Sequence, residues 1–387
     1  MPTYPTYKLG EVAEIILGQS PESKSYNTKG EGLPFFQGKS EFTDWFPVPN
    51  KWCTEPKKIA EPLDILLSVR APVGPTNVAK EKCCIGRGLA AIRYPECYKY
   101  VLYYLRSVSK HLESKATGTT FSSISGDVIR NLPIPLPPLP IQHQIVSRIE
   151  SLFAELDKAV ELLRTAQQQL KIYKQAVLKN AFEPKVNWRC VKVSDIGEVN
   201  LGRQRSPKNV SKNFPTKYIR AANITEEGLD LSDVFEMEFA PNEREKYYLK
   251  ENDILVSEAS GSASQVGKPA IWRNQIENCC FQNTVIRHRI TKDNPEYVFW
   301  YYKNLYVNGF FSRIAGGVGI NHLGANKFSN IEIYIPNDIS EQQRIVKEIE
   351  TRLSQAEAAE ARIAEALQKT ETLRQSILKK AFSGELI

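Results

Sequence analysis

The chain is poor in the residues that carry most enzyme chemistry. It has 387 residues but only four histidines, two methionines and seven cysteines. The histidines (His111, His143, His288 and His322) are scattered, and none has a ligand partner three or four positions on. The cysteines form no CxxC and no zinc-ligand spacing. Cys83-Cys84 and Cys279-Cys280 are vicinal pairs, expected as strand thiols of a reducing cytosol. There is no GxGxxG ahead of a helix. Gly261–Lys268 faintly echoes a phosphate loop, but its spacing is wrong and Pro269 stands where Ser or Thr is needed. No run of eighteen apolar residues occurs, so no membrane-spanning helix is expected. The first residues have no apolar core of a secretory signal, which implies a cytoplasmic protein.

What remains is an ordinary soluble composition, 42% hydrophobic and 25% charged, long enough for two or three domains. The net charge of +7 permits nucleic-acid binding without proving it. The charge is not gathered in a tail, so a basic surface has to be assembled by folding.

One element is built twice. In 141–182 the apolar residues fall at Ile145, Ile149, Leu152, Leu156, Ala159, Leu163, Ala166, Leu170, Tyr173 and Val177. Steps of four and three alternate throughout, the seam of a coiled coil. Some forty residues make a rod of about 60 Å. The same element returns 200 residues on: Ile145-Val146 as Ile345-Val346, and Gln175–Phe182 as Gln375–Phe382. The second seam reads Ile345, Ile349, Arg352, Ala356, Ala359, Ile363, Ala366, Thr370, Leu373 and Ile377. Its small residues suit close approach of the first, Leu-rich helix, so the two are expected to pair within the chain. The bland alternative is that each is an amphipathic helix lying on its own domain. The second helix is expected to start with a capping box at Ser340-Glu-Gln-Gln343 and to end at Gly384.

The segments between the helices also repeat. Asp64-Ile-Leu-Leu-Ser68 matches Asp253-Ile-Leu-Val-Ser257, and Tyr100–Tyr104 matches Tyr297–Tyr301. Asn131–Pro137 matches Asn330–Pro336. Strands are predicted at 34–37, 64–69, 83–85 and 89–92, a helix at 98–108, a short helix near 123–130, and a Pro-rich extended connector at 132–140. Tyr7–Gly18 reads as a helix or a strand closed by glycine. The predicted fold is α+β: two mixed globular domains (1–138 and 184–337), each followed by a spacer helix (139–183 and 338–387). The helices form an antiparallel intramolecular coiled coil with pseudo-two-fold symmetry. Such an object suits a partner with two separated half-sites, and duplex DNA is the obvious one.

Over its whole length the chain resembles the specificity subunits of type I restriction-modification systems. The most specific residues are Leu373-Arg-Gln-Ser-Ile-Leu-Lys-Lys-Ala-Phe-Ser-Gly-Glu-Leu386, first copied at Tyr173–Phe182, and the connector running from Ile134 through the prolines to Ile145. The resemblance implies two target-recognition domains, each reading half of a bipartite DNA target, with the helices setting the spacer. It implies two docked methyltransferase subunits and, when joined, restriction subunits; since two identical partners need two similar sites, the methyltransferases are expected on the repeated helical regions and adjoining framework. No cofactor is expected on this chain. S-adenosylmethionine belongs to the methyltransferase, and ATP and magnesium to the restriction subunit. The Asn/Asp-Pro-Pro-Tyr/Phe motif of amino-methyltransferases is absent here, as a non-catalytic subunit requires. The alternative is a coiled-coil adaptor that gathers proteins without DNA.

Side chains that read DNA are expected in the loops that differ between the halves. In the first domain these are Gln37, Lys39, Arg70, Arg87, Thr119, Thr120 and Ser122. In the second they are Arg220, Asn223, Glu258, Ser260, Ser262, Asn283, Asn321 and His322. Gln suits adenine, Arg suits guanine, and small hydroxyls suit phosphate. Asn321 and His322 align with Ser122 and Ser123. Each has a plainer reading: a loop Ser or Thr often caps or is solvated, and an Arg at a strand edge is often an ion-pair partner. Glu258 faces repulsion from phosphate unless it accepts from a base amino group.

Overall fold

The computed structural model describes residues 4–117, 122–204, 215–316 and 321–386. The chain divides into two compact units, 1–164 with 364–387, and 165–363.

In unit 1 the opening segment is neither one helix nor one strand. It breaks into a strand (Thr6–Lys8), a single helical turn (Leu9–Val12) and a second strand (Glu14–Leu17). The first strand pairs with Pro133–Pro135, through Tyr7 opposite Ile134. The second begins a four-stranded antiparallel sheet ordered Glu14–Leu17, Leu89–Arg93, Ile65–Ser68, Thr76–Val78. The two central strands are buried on both faces, which explains their unbroken apolar runs. A second sheet carries Leu33–Phe36 parallel to Cys83–Ile85. The helix Tyr98–Ser107 buries Tyr100, Val101, Leu102 and Leu105 in the unit's core.

Unit 2 repeats this plan. Its four-stranded sheet runs Gly197–Leu201, Val285–Ile290, Ile254–Ser257, Pro269–Ile271, and Pro215–Ile219 lies parallel to Cys280–Phe281. The repeat extends to single side chains. Asp64, 2% exposed, takes Arg93 in a two-pronged ion pair at 2.9 and 2.8 Å, and Asp253 takes Arg289 at 2.7 and 2.7 Å. Each carboxylate also accepts a backbone N–H three residues upstream, from Glu61 and Lys250. The residue before each aspartate, Leu63 or Asn252, has positive φ (70° and 69°). A backbone that rare for leucine persists because the turn is held from both sides. The cysteines are free; Cys83, Cys84 and Cys280 are buried in strands, and Cys279 is buried just ahead of one. Burial pushes each of these thiols up to about 12.

The long helices span Leu139–Ala181 and Ile339–Phe382. Neither lies on one domain alone. In unit 1 the start of the first helix packs with the end of the second: Ile145 and Ile149 share a core with Leu378 and Ala381, and Arg374 pairs with Asp157. In unit 2 the end of the first packs with the start of the second: Val177 and Leu178 share a core with Ile345, Ile349 and Leu353, and Lys174 pairs with Glu360. Within each unit the pairing is antiparallel. The strict seam fails at three places. Tyr173 and Leu373 are exposed (41% and 49%), while Lys174 and Arg374 turn inward; Leu353 is buried in place of Arg352. A helix of 3.6 residues per turn drifts about 20° per heptad against a 3.5 repeat, so about four heptads along, at Lys174 and Arg374, the next residue faces the partner.

The second helix begins one residue earlier than its expected cap. Asp338, not Ser340, closes it, accepting from the Ser340 N–H at 2.9 Å and from the Ser340 hydroxyl at 2.5 Å. Those bonds hold the Asp338 carboxyl below its usual range. Gly384, with φ of 80°, ends the helix, and the Glu385 N–H reaches the Lys380 carbonyl. Pro140 sits in the first turn of the first helix, where a missing N–H costs nothing.

Candidate nucleic-acid interface

In unit 1 the strand Leu33–Phe36 ends where the chain crosses the loop 86–88. The Gly86 N–H donates to the Phe36 carbonyl (2.8 Å) and the Gly88 N–H to the Gln37 carbonyl (3.1 Å). A Cβ on Gly88 would lie 2.3 Å from that carbonyl oxygen, so only glycine lets the two loops approach. Ser68, buried at the end of its strand, donates to the Arg70 and Pro72 carbonyls at 3.1 and 2.9 Å and turns the next loop toward the first two. The Ala71 N–H then reaches the Ser122 carbonyl at 3.0 Å.

These three loops enclose a cleft of about 190 Å³ lined by Gln37, Lys39, Ser68, Arg70, Arg87 and their glycine and alanine neighbours. Four residues picked from sequence thus converge, with Ser122 next to them. Gln37, Lys39, Arg70 and Arg87 are exposed, and the three cations form no ion pair with any described residue. Among the described residues no acid lines the cleft. Unpaired cations beside a neutral amide can meet phosphate or the acceptor edge of guanine. Thr119 and Thr120 lie outside the described residues.

Unit 2 builds the same frame. Gln282 donates to the Ile219 carbonyl as Gly86 does to Phe36, and the Glu258 N–H meets the Thr284 carbonyl as the Val69 N–H meets Gly88. The Gly316 and His322 backbones exchange the pair of bonds that Thr117 and Ser123 exchange. On this frame Arg220 stands where Gln37 does, Asn283 where Arg87 does, Ala259 where Arg70 does, and Asn321 where Ser122 does. The alignment of Asn321 and His322 with Ser122 and Ser123 therefore holds in space.

The side chains behave differently. Ala259 pairs with His322 and Ser260 with Asn321 in a short two-stranded antiparallel ladder. Glu258 lies beneath it, 3.2 Å from His322 Nδ1 through either oxygen. The Ser260 hydroxyl accepts the Ser262 N–H, and the Ser262 hydroxyl meets Ser264 at 2.9 Å. Two of the expected readers are engaged elsewhere. Asn223 is 3% exposed; its amide donates to the Asp230 and Asp233 carbonyls and its oxygen accepts from the Arg220 N–H. Asn223 is therefore a loop-closing residue, because the 221–233 excursion needs its polar groups. Arg220 pairs with Asp233 and lies 3.8 Å over the Phe235 ring, which fixes its guanidinium to its own loop. Sequence reasoning passed over Ser68, Ser257 and Thr284. Both serines close the repeated Asp-Ile-Leu pentad, a signal that was there to use. Among the described residues no group of His, Cys, Asp and Glu is placed to hold a metal ion.

Residues 1–170 and 185–369 match the family described as the type I restriction modification DNA specificity domain. The chain belongs to that family. Its domain occurs twice here, and the chain is a specificity subunit. It is 25% identical over 381 residues to the EcoKI specificity subunit of Escherichia coli, a match covering 90% of this chain and 80% of that one. A putative specificity subunit, MjaX of Methanocaldococcus jannaschii, is 40% identical over 168 residues, 43% of this chain but only 39% of that relative's length. Its fold is that of a chain solved in work on complex assembly and conformational transition of the type I R-M system (TM-score 0.73, 19% identity, 100% and 99% covered). The HsdS subunit from Thermoanaerobacter tengcongensis is similar too (TM-score 0.66, 19% identity, 99% and 97% covered). These relatives make the chain a non-catalytic subunit of a restriction-modification system, and the adaptor reading is not favoured. No helix among the described residues is long and apolar enough to cross a membrane.

Proposed function

We propose that each unit of this specificity subunit reads one half of a bipartite duplex target, and that the two halves differ. The observation that carries this is one loop frame built twice with unlike side chains at matching places: Arg87 against Asn283, Arg70 against Ala259, Ser122 against Asn321. A shared frame presents a similar edge to DNA, while unlike readers select unlike bases. In unit 1 the readers are Gln37, Lys39, Arg70, Arg87 and Ser122. In unit 2 they are Ser260, Ser262, Asn283, Asn321 and His322, with Glu258 behind His322.

The domains run from 1 to 138 and from 184 to 337, with spacer helices between and after them. Two methyltransferase subunits dock on the repeated helical regions, since two like partners need two like surfaces. Leu139 and Ile339, each 40% exposed at the same place in the first turn, are one such repeated pair. The methyltransferase brings S-adenosylmethionine and transfers its methyl group to an adenine N6 in each half-site. Restriction subunits, when joined, bring ATP and magnesium. This chain works in the cytoplasm and binds no cofactor.

The test is the genome-wide adenine methylation pattern of cells making this chain with its methyltransferase. Two short specific blocks around a fixed gap are expected, and exchanging residues 1–138 for another such domain should change one block only. A stable complex that adds no methylation would count against the reading.

A further inference from the structure

Glu258 is a buried carboxylate at the reading edge of unit 2, its side chain only 10% exposed. Its one ion-pair partner among the described residues is His322, with Nδ1 at 3.2 Å from both oxygens. The backbones are tied as well: Ala259 pairs with His322, and the Leu323 N–H donates to the Glu258 carbonyl at 2.9 Å. The His322 side chain is 52% exposed. The acid therefore sits behind the ring and the ring in front of the acid.

Unit 1 shows what the frame itself requires at these places. The Val69 N–H meets the Gly88 carbonyl, and the Ile124 N–H meets the Val69 carbonyl, as Glu258 does with Thr284 and Leu323. Ser123 occupies the His322 position. The same turn thus folds around a valine and a serine. Burying a carboxylate costs free energy that a valine does not, so packing gives no reason for the Glu258–His322 pair.

Its chemistry supplies one. A carboxylate only accepts hydrogen bonds, so whenever the ring carries a single proton Glu258 holds that proton on Nδ1 and leaves Nε2 as an acceptor. An acceptor gains nothing from phosphate. In the major groove it suits the exocyclic amines, N6 of adenine and N4 of cytosine. We propose that His322 reads an exocyclic amino group on one strand of the second half-site, and that Glu258 is the positioning residue that sets its tautomer. This rests on the reading that unit 2 contacts DNA.

The test uses the assembled methyltransferase complex and the target defined by its methylation pattern. His322→Ala is expected to relax one position of the second block, where adenine or cytosine stands on the contacted strand, and to leave the first block unchanged. Duplexes with purine for adenine, or pyrimidin-2-one for cytosine, at that position remove the amine and tell the two bases apart. Removing the amine should weaken wild-type binding about tenfold and binding by the His322→Ala complex no further. Glu258→Gln can donate to Nδ1 as well as accept from it, so it should blunt discrimination at that same position. Glu258→Val, the residue unit 1 uses, should fold and should lose discrimination there alone. A motif unchanged by His322→Ala, relaxation of the whole block, or continued sensitivity of the variant to the amine overturns the assignment. A wild-type complex without a split motif overturns the parent reading and this one with it.

Discussion

The ring of Phe382 lies 5.2 Å from that of Tyr100, edge to face, and the end of the chain thereby closes the core of its first domain. Unit 2 has the same contact, Phe182 against Tyr297 at 5.3 Å and Tyr301 at 5.0 Å. Each recognition domain is covered by the start of one long helix and the end of the other. The helices are therefore part of both cores.

Phe182 is 4% exposed, so Phe182→Ala removes a large buried ring between two tyrosines. A loss of about 3–5 kcal/mol is expected, read as a lower urea midpoint for unit 2. Phe382, only partly buried, should cost less and should act on unit 1.

His288 makes unit 2 sensitive to acid. Burial of its ring, hydrogen-bonded to Tyr302 at 2.7 Å, pushes its pKa down to about 3. An unfolded histidine titrates near 6.5. Below that pH the unfolded chain takes up a proton that the folded chain refuses. The stabilisation is therefore whole above pH ~6.5 and is lost as pH falls toward 3, by about 2 kcal/mol at pH 5. Unit 1 has Ile92 at the matching sheet position. His288→Ile should flatten this part of the pH dependence, checked by urea unfolding at pH 7.5 and 5.

Arg70 and Arg87 have no ion-pair partner among the described residues in the cleft of unit 1. If one holds phosphate, its alanine variant should weaken binding to all sequences alike and lower the slope of log affinity against log salt by about 1. If it reads guanine, the variant should cost about 1–3 kcal/mol and relax a single position of the first block. Binding titrations at several salt concentrations, with the methylation motif of each variant, distinguish the two.

Asn223→Ala should behave in the opposite way. Its amide closes the 221–233 loop and is turned from the surface. About 1–3 kcal/mol of stability is expected to be lost, seen in thermal unfolding, while the methylation motif keeps every position.

The repeat, the two long helices and the main strands of both domains were legible in the residues, because each is a local pattern. Heptad spacing follows from the turn of the helix, and buried strands follow from short apolar runs between glycine, proline and charge. The convergence of Gln37, Lys39, Arg70 and Arg87 could be suspected from their place in loops that differ between the halves. Their meeting in one cleft depends on Ser68 and Gly88 drawing three loops together. Other outcomes belong to the tertiary structure alone. Asn223 and Arg220 look like readers until Asp230, Asp233 and Phe235 fold back and occupy them. Tyr173 and Leu373 look like seam residues until the drift of a straight helix turns Lys174 and Arg374 inward. A side chain's spacing is set by its own backbone, but its partners are set by whichever distant segment packs against it. That is why the architecture could be read along the chain, while the division between reading and structural residues was decided only in three dimensions.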